Sequence, residues 1–286
     1  MSHIKKVKNY KKLTLIIAVI FVTSCANHQV KNEQDSIAVT DDIIDVNMSK
    51  IDGSAVKVNS KSLAPTSESL LNQAIKKQNE SEISKAATDL LILSPTNLKA
   101  LNALGLLNYK KGKFKSANYF FNKALKSNPN EPGLYNNLAL LQLAQGNQRE
   151  AVKLIKSGLV QKSNDQALLA NLGSIYISQK DYSNALLALE PVYSSGTKDP
   201  KVLINYAICL SAMKKNVEAA KIYEKLLSDN SGSRDIMLNY SIHLIENMQN
   251  YKQGLDIINR LKFVGIPDES RNIIKELENK AKAGLK

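Results

Sequence analysis

The sequence predicts an all-α fold, a solenoid of five to six helix–turn–helix units closed by a C-terminal capping helix, and three observations predict it. Ala117, Ala151, Ala185 and Ala219 lie 34 residues apart, and twelve residues upstream of each stands another small residue, Gly105, Ala139, Gly173 or Ala207. A period of this length, with a small residue in each of two helical segments, describes a unit that buries its apolar face only by stacking on its neighbours. Large apolar residues fill the fourth position of a unit begun at Leu98 (Leu101, Tyr135, Leu169, Leu203, Met237) and the seventh (Leu104, Leu138, Leu172, Tyr206, Tyr240), an i, i+3 pair on one helix face. In the second helix each small residue is followed four places on by a large one, giving Ala117/Phe121, Ala151/Ile155, Ala185/Leu189 and Ala219/Tyr223. Small then meets large across the seam, and the backbones approach closely.

At the N-terminus, Lys5, Lys6, Lys8, Lys11 and Lys12 precede the apolar run Leu13–Val22 and then Thr23-Ser24-Cys25. The run is too short to span a bilayer, so residues 1–24 read as a signal peptide. The Val-Thr-Ser-Cys ending resembles a bacterial lipobox. That resemblance implies diacylglycerol on Cys25, cleavage before it and acylation of the new amino terminus. Ala26, where an aspartate would imply inner-membrane retention, points to the periplasmic face of the outer membrane. An uncleaved anchor, or an ordinary signal peptide with an incidental cysteine, is the alternative. Residues 25–63 comprise the lipidated cysteine and a polar stretch with no aromatic residue, read as a disordered tether. Its rms reach is about 35 Å. Strand propensity in Ile37–Val46 marks either a segment that orders on a partner or plain linker.

The solenoid is expected over residues 64–267. A degenerate leading unit, 64–97, has Leu70, Leu71 and Ala74 on its first helix and Pro95 near its end. Units 98–131, 132–165, 166–199 and 200–233 follow without gaps, and 234–267 fits with one residue inserted before Tyr251, Gly254 then taking the alanine's place. Gly112 and Gly146 stand where the first helix turns into the second, a position of positive φ. Pro191 falls inside the second helix of its unit, where a bend is expected. Residues 268–286, with Ile273, Ile274 and Leu277 on one side, read as a polar capping helix. The pattern Leu101-x-x-Leu104-Gly105, Ala117-x-x-x-Phe121-x-x-Ala124 and Pro129 resembles the tetratricopeptide repeat family. The resemblance implies a right-handed superhelix that binds proteins.

The formal net charge is +13, of which the signal peptide supplies five lysines and no acid, leaving +8 in the chain that follows it. With export, this argues against nucleic acid as a partner. Lys110, Lys111, Lys113 and Lys115 cluster at one inter-helix turn, and Lys214 and Lys215 at another; they suit a solvated loop, anionic lipid or an acidic partner. Enzyme chemistry finds no constellation. His3 and His28 lie ahead of the solenoid, and His243 occupies a tenth-position column otherwise filled by Leu107, Leu141, Ile175 and Cys209. Cys209 and His243 sit about 10 Å apart on adjacent units, too far for a nucleophile and its base. No catalytic residue, metal site or cofactor is expected, and no disulfide.

The family resemblance places the partner-binding groove on the first helices. Its candidate residues here are Asn102, Leu106, Tyr109, Asn136, Leu140, Leu143, Ile177, Ile204, Ile208, Leu238 and Ile242. Lys99, Ala170, Ser174, Lys201 and Ile245 share those columns. The stripe is apolar and suits an amphipathic helix or an extended apolar segment, unless it packs on preceding helices. Leu106 stands where a carboxylate clamp needs asparagine, which argues against a chaperone-tail ligand. A sixth-position column, Asn137, Asn171, Asn205 and Asn239, reads as packing. The layout resembles tetratricopeptide lipoproteins of type IV and Flp (tight-adherence) pilus systems. It implies a pilotin-like assembly factor that holds a secretin or another pilus or secretion subunit. The alternative is an envelope adaptor that scaffolds peptidoglycan enzymes.

Overall fold

Side-chain caps recur at the start of the first helix in four successive repeats. The computed structural model describes residues 60–286, with side chains from Ser67 onward; the signal peptide, Cys25 and the tether lie outside the described residues. Thirteen α-helices and no strand occur among them: α1 (Ser60–Lys77), α2 (Glu80–Leu93), α3 (Leu98–Lys110), α4 (Phe114–Ser127), α5 (Pro132–Ala144), α6 (Gln148–Gln161), α7 (Gln166–Ser178), α8 (Tyr182–Ser194), α9 (Pro200–Ala212), α10 (Asn216–Asp229), α11 (Arg234–Ile242), α12 (Tyr251–Val264) and α13 (Arg271–Gly284). Asn97, Glu131, Asp165 and Asp199 precede α3, α5, α7 and α9. Their side-chain oxygens accept the backbone N–H of Ala100 (3.0 Å), Gly133 (3.3 Å), Leu168 (3.2 Å) and Lys201 (2.9 Å). Such caps satisfy donors that a helix start leaves orphaned. Pro132 and Pro200 occupy the first turn, where no N–H is needed.

Within each helix pair one residue takes left-handed backbone. Glycine does so at Gly112 (φ 68°) and Gly146 (φ 79°), but Gln78, Lys180, Lys214 and Gln249 hold φ between 55° and 64° at the corresponding turns. The next N–H reaches back five residues, as in Lys113 to the Asn108 carbonyl and Lys215 to the Leu210 carbonyl, both 2.9 Å. This is the Schellman closure of a helix end.

The chain divides after Leu168 into two compact bodies, each described by itself. In the N-terminal body successive helices from α1 to α6 pack on one another. One cluster joins Leu71, Ala87, Leu90, Leu101, Leu104, Phe120 and Leu134; a second joins Ala117, Phe121, Leu138 and Leu141. The small-meets-large rule has a physical cause here. A Cβ on Gly105 would lie 2.4 Å from the Phe121 ring, so the ring occupies the space that glycine leaves.

The C-terminal body repeats that device, a Cβ on Gly173 lying 2.5 Å from Leu189. The turn after α11 is different: Met248 N–H bonds to the His243 carbonyl at 3.1 Å, and His243–Asn247 forms one π turn. It takes up one extra residue, so α12 starts seventeen residues after α11, whereas α4, α6, α8 and α10 start sixteen after their partners. Two tyrosine–glutamate pairs join successive repeats. Tyr206 Oη donates to Glu190, and Tyr240 Oη donates to Glu224 at 3.0 Å. Pro191 does not end its helix; α8 runs on to Ser194. The carbonyl deprived of a donor belongs to Leu187, whose side chain is 72% exposed, so water can replace the lost bond. Finally, α13 buries Ile273, Ile274, Leu277 and Ala281. It is pinned by Lys262 to Glu278 (2.6 Å) and by Lys280 to Glu246.

Candidate functional site

In the N-terminal body α3 has two apolar faces. Ala100, Leu101 and Leu104 are fully buried in the core, while Asn102, Leu106 and Tyr109 are half-buried on the other side. Beside that second face, the end of α1, the start of α2 and α3 enclose an open cavity of about 360 Å³. Ile75, Ile83, Ala103, Leu106 and Leu107 form its apolar floor, with Lys99, Lys110, Asn102, Gln78 and Glu80 around them. A second opening of about 490 Å³ at the start of α3 shares Lys99 and Asn102 and adds Glu68, Asn97 and Glu131. On α5, Asn136, Leu140 and Leu143 are also half-buried. These six candidates of the N-terminal body therefore have surface that a partner can touch.

Charge is unevenly distributed around the groove. Repeat 98–131 carries seven lysines against one acid, Glu131. Lys99 Nζ donates to Asn72 Oδ1 at 2.6 Å and lies 3.6 Å from Glu68. Glu80, 8% exposed, places Oε2 3.5 Å from Lys111 Nζ, an ion pair that lacks hydrogen-bonding geometry. Burial pushes the Tyr109 phenol above its usual range, so that group is a neutral donor at the groove edge.

The C-terminal body narrows the expected site. Ile177, Ile204 and Leu238 are 3%, 4% and 7% exposed, so they are core residues and offer nothing to a partner, a correction to the sequence expectation. Ile208 and Ile242 remain half-buried. There α9 and α11, the first helices of successive pairs, contact one another. The asparagine column takes part in that packing. Asn137 Nδ2 donates to Asn102 Oδ1 (2.7 Å) in one body, and Asn205 Nδ2 to Ser174 Oγ (2.9 Å) in the other. Sequence reasoning missed the far wall of the cavity, Ile75, Gln78, Glu80 and Ile83, because the leading repeat's columns are too degenerate to align.

Cys209 and His243 each have a structural setting. Cys209 is fully buried, and burial pushes its thiol up to about 12, so it is not a thiolate. His243, 1% exposed, bridges two helices: Nε2 lies 3.0 Å from the Asn216 carbonyl and Nδ1 lies 2.8 Å from Ser211 Oγ. A carbonyl only accepts, so Nε2 carries the hydrogen, while the Ser211 hydroxyl, 2.8 Å from the Ala207 carbonyl as well, has one proton for two neighbours. Burial holds the imidazole below its ordinary pKa. Among the described residues no three His, Cys, Asp or Glu side chains converge, and no helix is long and apolar enough to cross a membrane.

Tetratricopeptide repeat family models match residues 98–131 and 120–153. No curated protein matches the chain. Among solved structures, PilW, a widely conserved type IV pilus biogenesis factor, is similar with a TM-score of 0.63 and 15% identity, over 74% of this chain and 99% of that one. A tetratricopeptide repeat protein from Parabacteroides merdae has a TM-score of 0.56 and 16% identity, over 76% and 99%. Pseudomonas aeruginosa pilF has a TM-score of 0.54 and 20% identity, over 65% and 88%. What the chain shares with them is the fold, an array of tetratricopeptide helix pairs.

Proposed function

We propose that the protein is a lipid-anchored scaffold that binds a protein subunit while a pilus or secretion machine is assembled at the outer membrane. Its role is pilotin-like, with a secretin as the partner and no enzymatic activity or cofactor. The observation that carries this reading is the accessible stripe Leu106, Leu140 and Leu143 beside Asn102 and Asn136, on repeats similar in fold to a type IV pilus biogenesis factor. Apolar anchors of an amphipathic helix or extended segment leave water on entering such a stripe, at roughly 25 cal/mol per Å² of area covered. Asparagine amides at its edge supply hydrogen bonds that fix register. The lipobox-like sequence at Cys25 supplies the anchor, since each buried methylene of an acyl chain contributes about 0.8 kcal/mol.

Two measurements test this. Replacing Cys25 by serine moves the protein from the membrane to the soluble periplasmic fraction; continued membrane association refutes the anchor. Leu140→Arg with Ile208→Glu places charge on a half-buried residue in each body. It abolishes capture of the secretin while circular dichroism stays helical. Capture that survives puts the binding surface elsewhere, and capture of peptidoglycan enzymes in place of a secretin replaces the pilus partner.

A further inference from the structure

The α1–α3 groove has an apolar floor with a lysine at each end, Lys99 beside Glu68, and with Glu80 of the lining paired to Lys111. Lys99 stands near the start of α3 and Lys110 is its last residue, and both line the cavity floored by Ile75, Ile83 and Leu106. At 1.5 Å per residue their backbones are about 17 Å apart. A matching occupant has carboxylates at both ends and aliphatic side chains between them. In extended form its carboxylates stand roughly four or five residues apart, given about 3.4 Å per residue and the reach of two lysine side chains.

One stretch of this chain has that composition. Asp41-Asp42-Ile43-Ile44-Asp45 lies within Ile37–Val46, outside the described residues, and the scaffold role makes no use of it. We propose that this segment is a ligand of the chain's own α1–α3 groove, its aspartates toward Lys99 and Lys110 and its isoleucines on the floor. The proposal rests on the groove being a binding surface, as the scaffold reading does, and it names a resident that an external partner must displace. Chain length permits the contact. α1 runs about 26 Å from Ser60 to the cavity, and residues 47–59 can span up to about 45 Å. Covalent linkage also lowers the affinity required, because a short flexible connection gives an effective concentration on the order of 1 mM. A segment whose free peptide binds with a Kd of about 0.1 mM is then docked about nine times in ten. Lys99 keeps its bond to Asn72 and shares its charge with Glu68 and the incoming carboxylate. Desolvation of the isoleucines and the charge pairs at the two ends act together, so loss of the three carboxylates is enough to release the segment.

The test uses a fluorescein-labelled synthetic peptide of residues 36–48 and the full chain in detergent. The peptide binds a chain carrying Asp41→Asn, Asp42→Asn and Asp45→Asn at least about tenfold more tightly than the unaltered chain, whose groove is already filled. Adding Lys99→Glu and Lys110→Glu to the neutralised chain removes that binding. Equal affinity for the two chains overturns the proposal, as does binding to neither or binding that survives the lysine reversals. A tenfold difference that varies with chain concentration places the segment in a second copy's groove and likewise overturns it. Membrane retention through Cys25 and capture of a secretin by the unaltered chain are measured apart from these outcomes, so the scaffold reading stands or falls separately.

Discussion

Lys180 and Lys214 hold left-handed backbone at the turns where Gly112 and Gly146 do so without a Cβ. A side chain there costs about 1 kcal/mol, partly offset by the entropy glycine loses on folding. Lys180→Gly and Lys214→Gly each raise unfolding stability by about 0.5 kcal/mol in urea titrations, and a loss of stability would show that the lysines contribute more than their backbone costs. The glycines at two turns were legible in the sequence; the lysines were not, because nothing about lysine signals positive φ. His243 was legible as a column member, but its bridge was not, since Ser211 and Asn216 lie 32 and 27 residues away. Its pKa is lowered in the fold, so the unfolded chain binds the proton more readily. The contribution of His243 is complete above the unfolded value of about 6.5 and declines as pH falls through it toward the folded value. His243→Leu, the residue of the same column at Leu107 and Leu141, flattens the fall in melting temperature between pH 7 and pH 5. An unchanged slope assigns that fall to other groups.

Helix pairs are held by the fit of one large side chain over one small residue. Gly105→Ala forces its methyl into the Phe121 ring and Gly173→Ala into Leu189, each costing about 1–3 kcal/mol. Phe121→Leu, by shrinking the neighbour, recovers part of the loss in Gly105→Ala. Chemical denaturation of the three variants measures this, and an additive double variant contradicts the steric account. This packing was readable because small and large residues recur at fixed offsets. The extra residue before Tyr251 was also readable, as a slip in that register, but not the π turn that absorbs it. The two phenol–carboxylate pairs, Tyr206 with Glu190 and Tyr240 with Glu224, share a spacing of 16 residues. They escaped notice because each tyrosine sits in a column of leucines. Of the groove, the stripe of the N-terminal body was legible from periodicity. Which members of the corresponding stripe are covered by their neighbours depended on packing that a column of aliphatic residues does not encode.

For the chain as a whole, the terminal helix and the repeat junctions set what can be removed. Ending the chain after Pro267 uncovers the faces of α11 and α12 that hold Ile273, Ile274 and Leu277. Losing three buried aliphatic side chains removes about 5 kcal/mol and lowers the melting temperature by roughly 10 °C or more. A melting temperature unchanged by the truncation would mean that α13 is an ornament and not a cap. The junctions impose a different constraint, on which blocks recombination can delete. Excising 200–233 brings Glu190 to Tyr240, and the same phenol–carboxylate bond forms anew. Excising 166–199 instead brings Lys156 to Tyr206, leaving the phenol without its acceptor. Two deletions of equal length, each preserving the reading frame, thus differ in whether the remaining hairpins fit, so these repeats are interchangeable only with neighbours that carry the matching half of the pair.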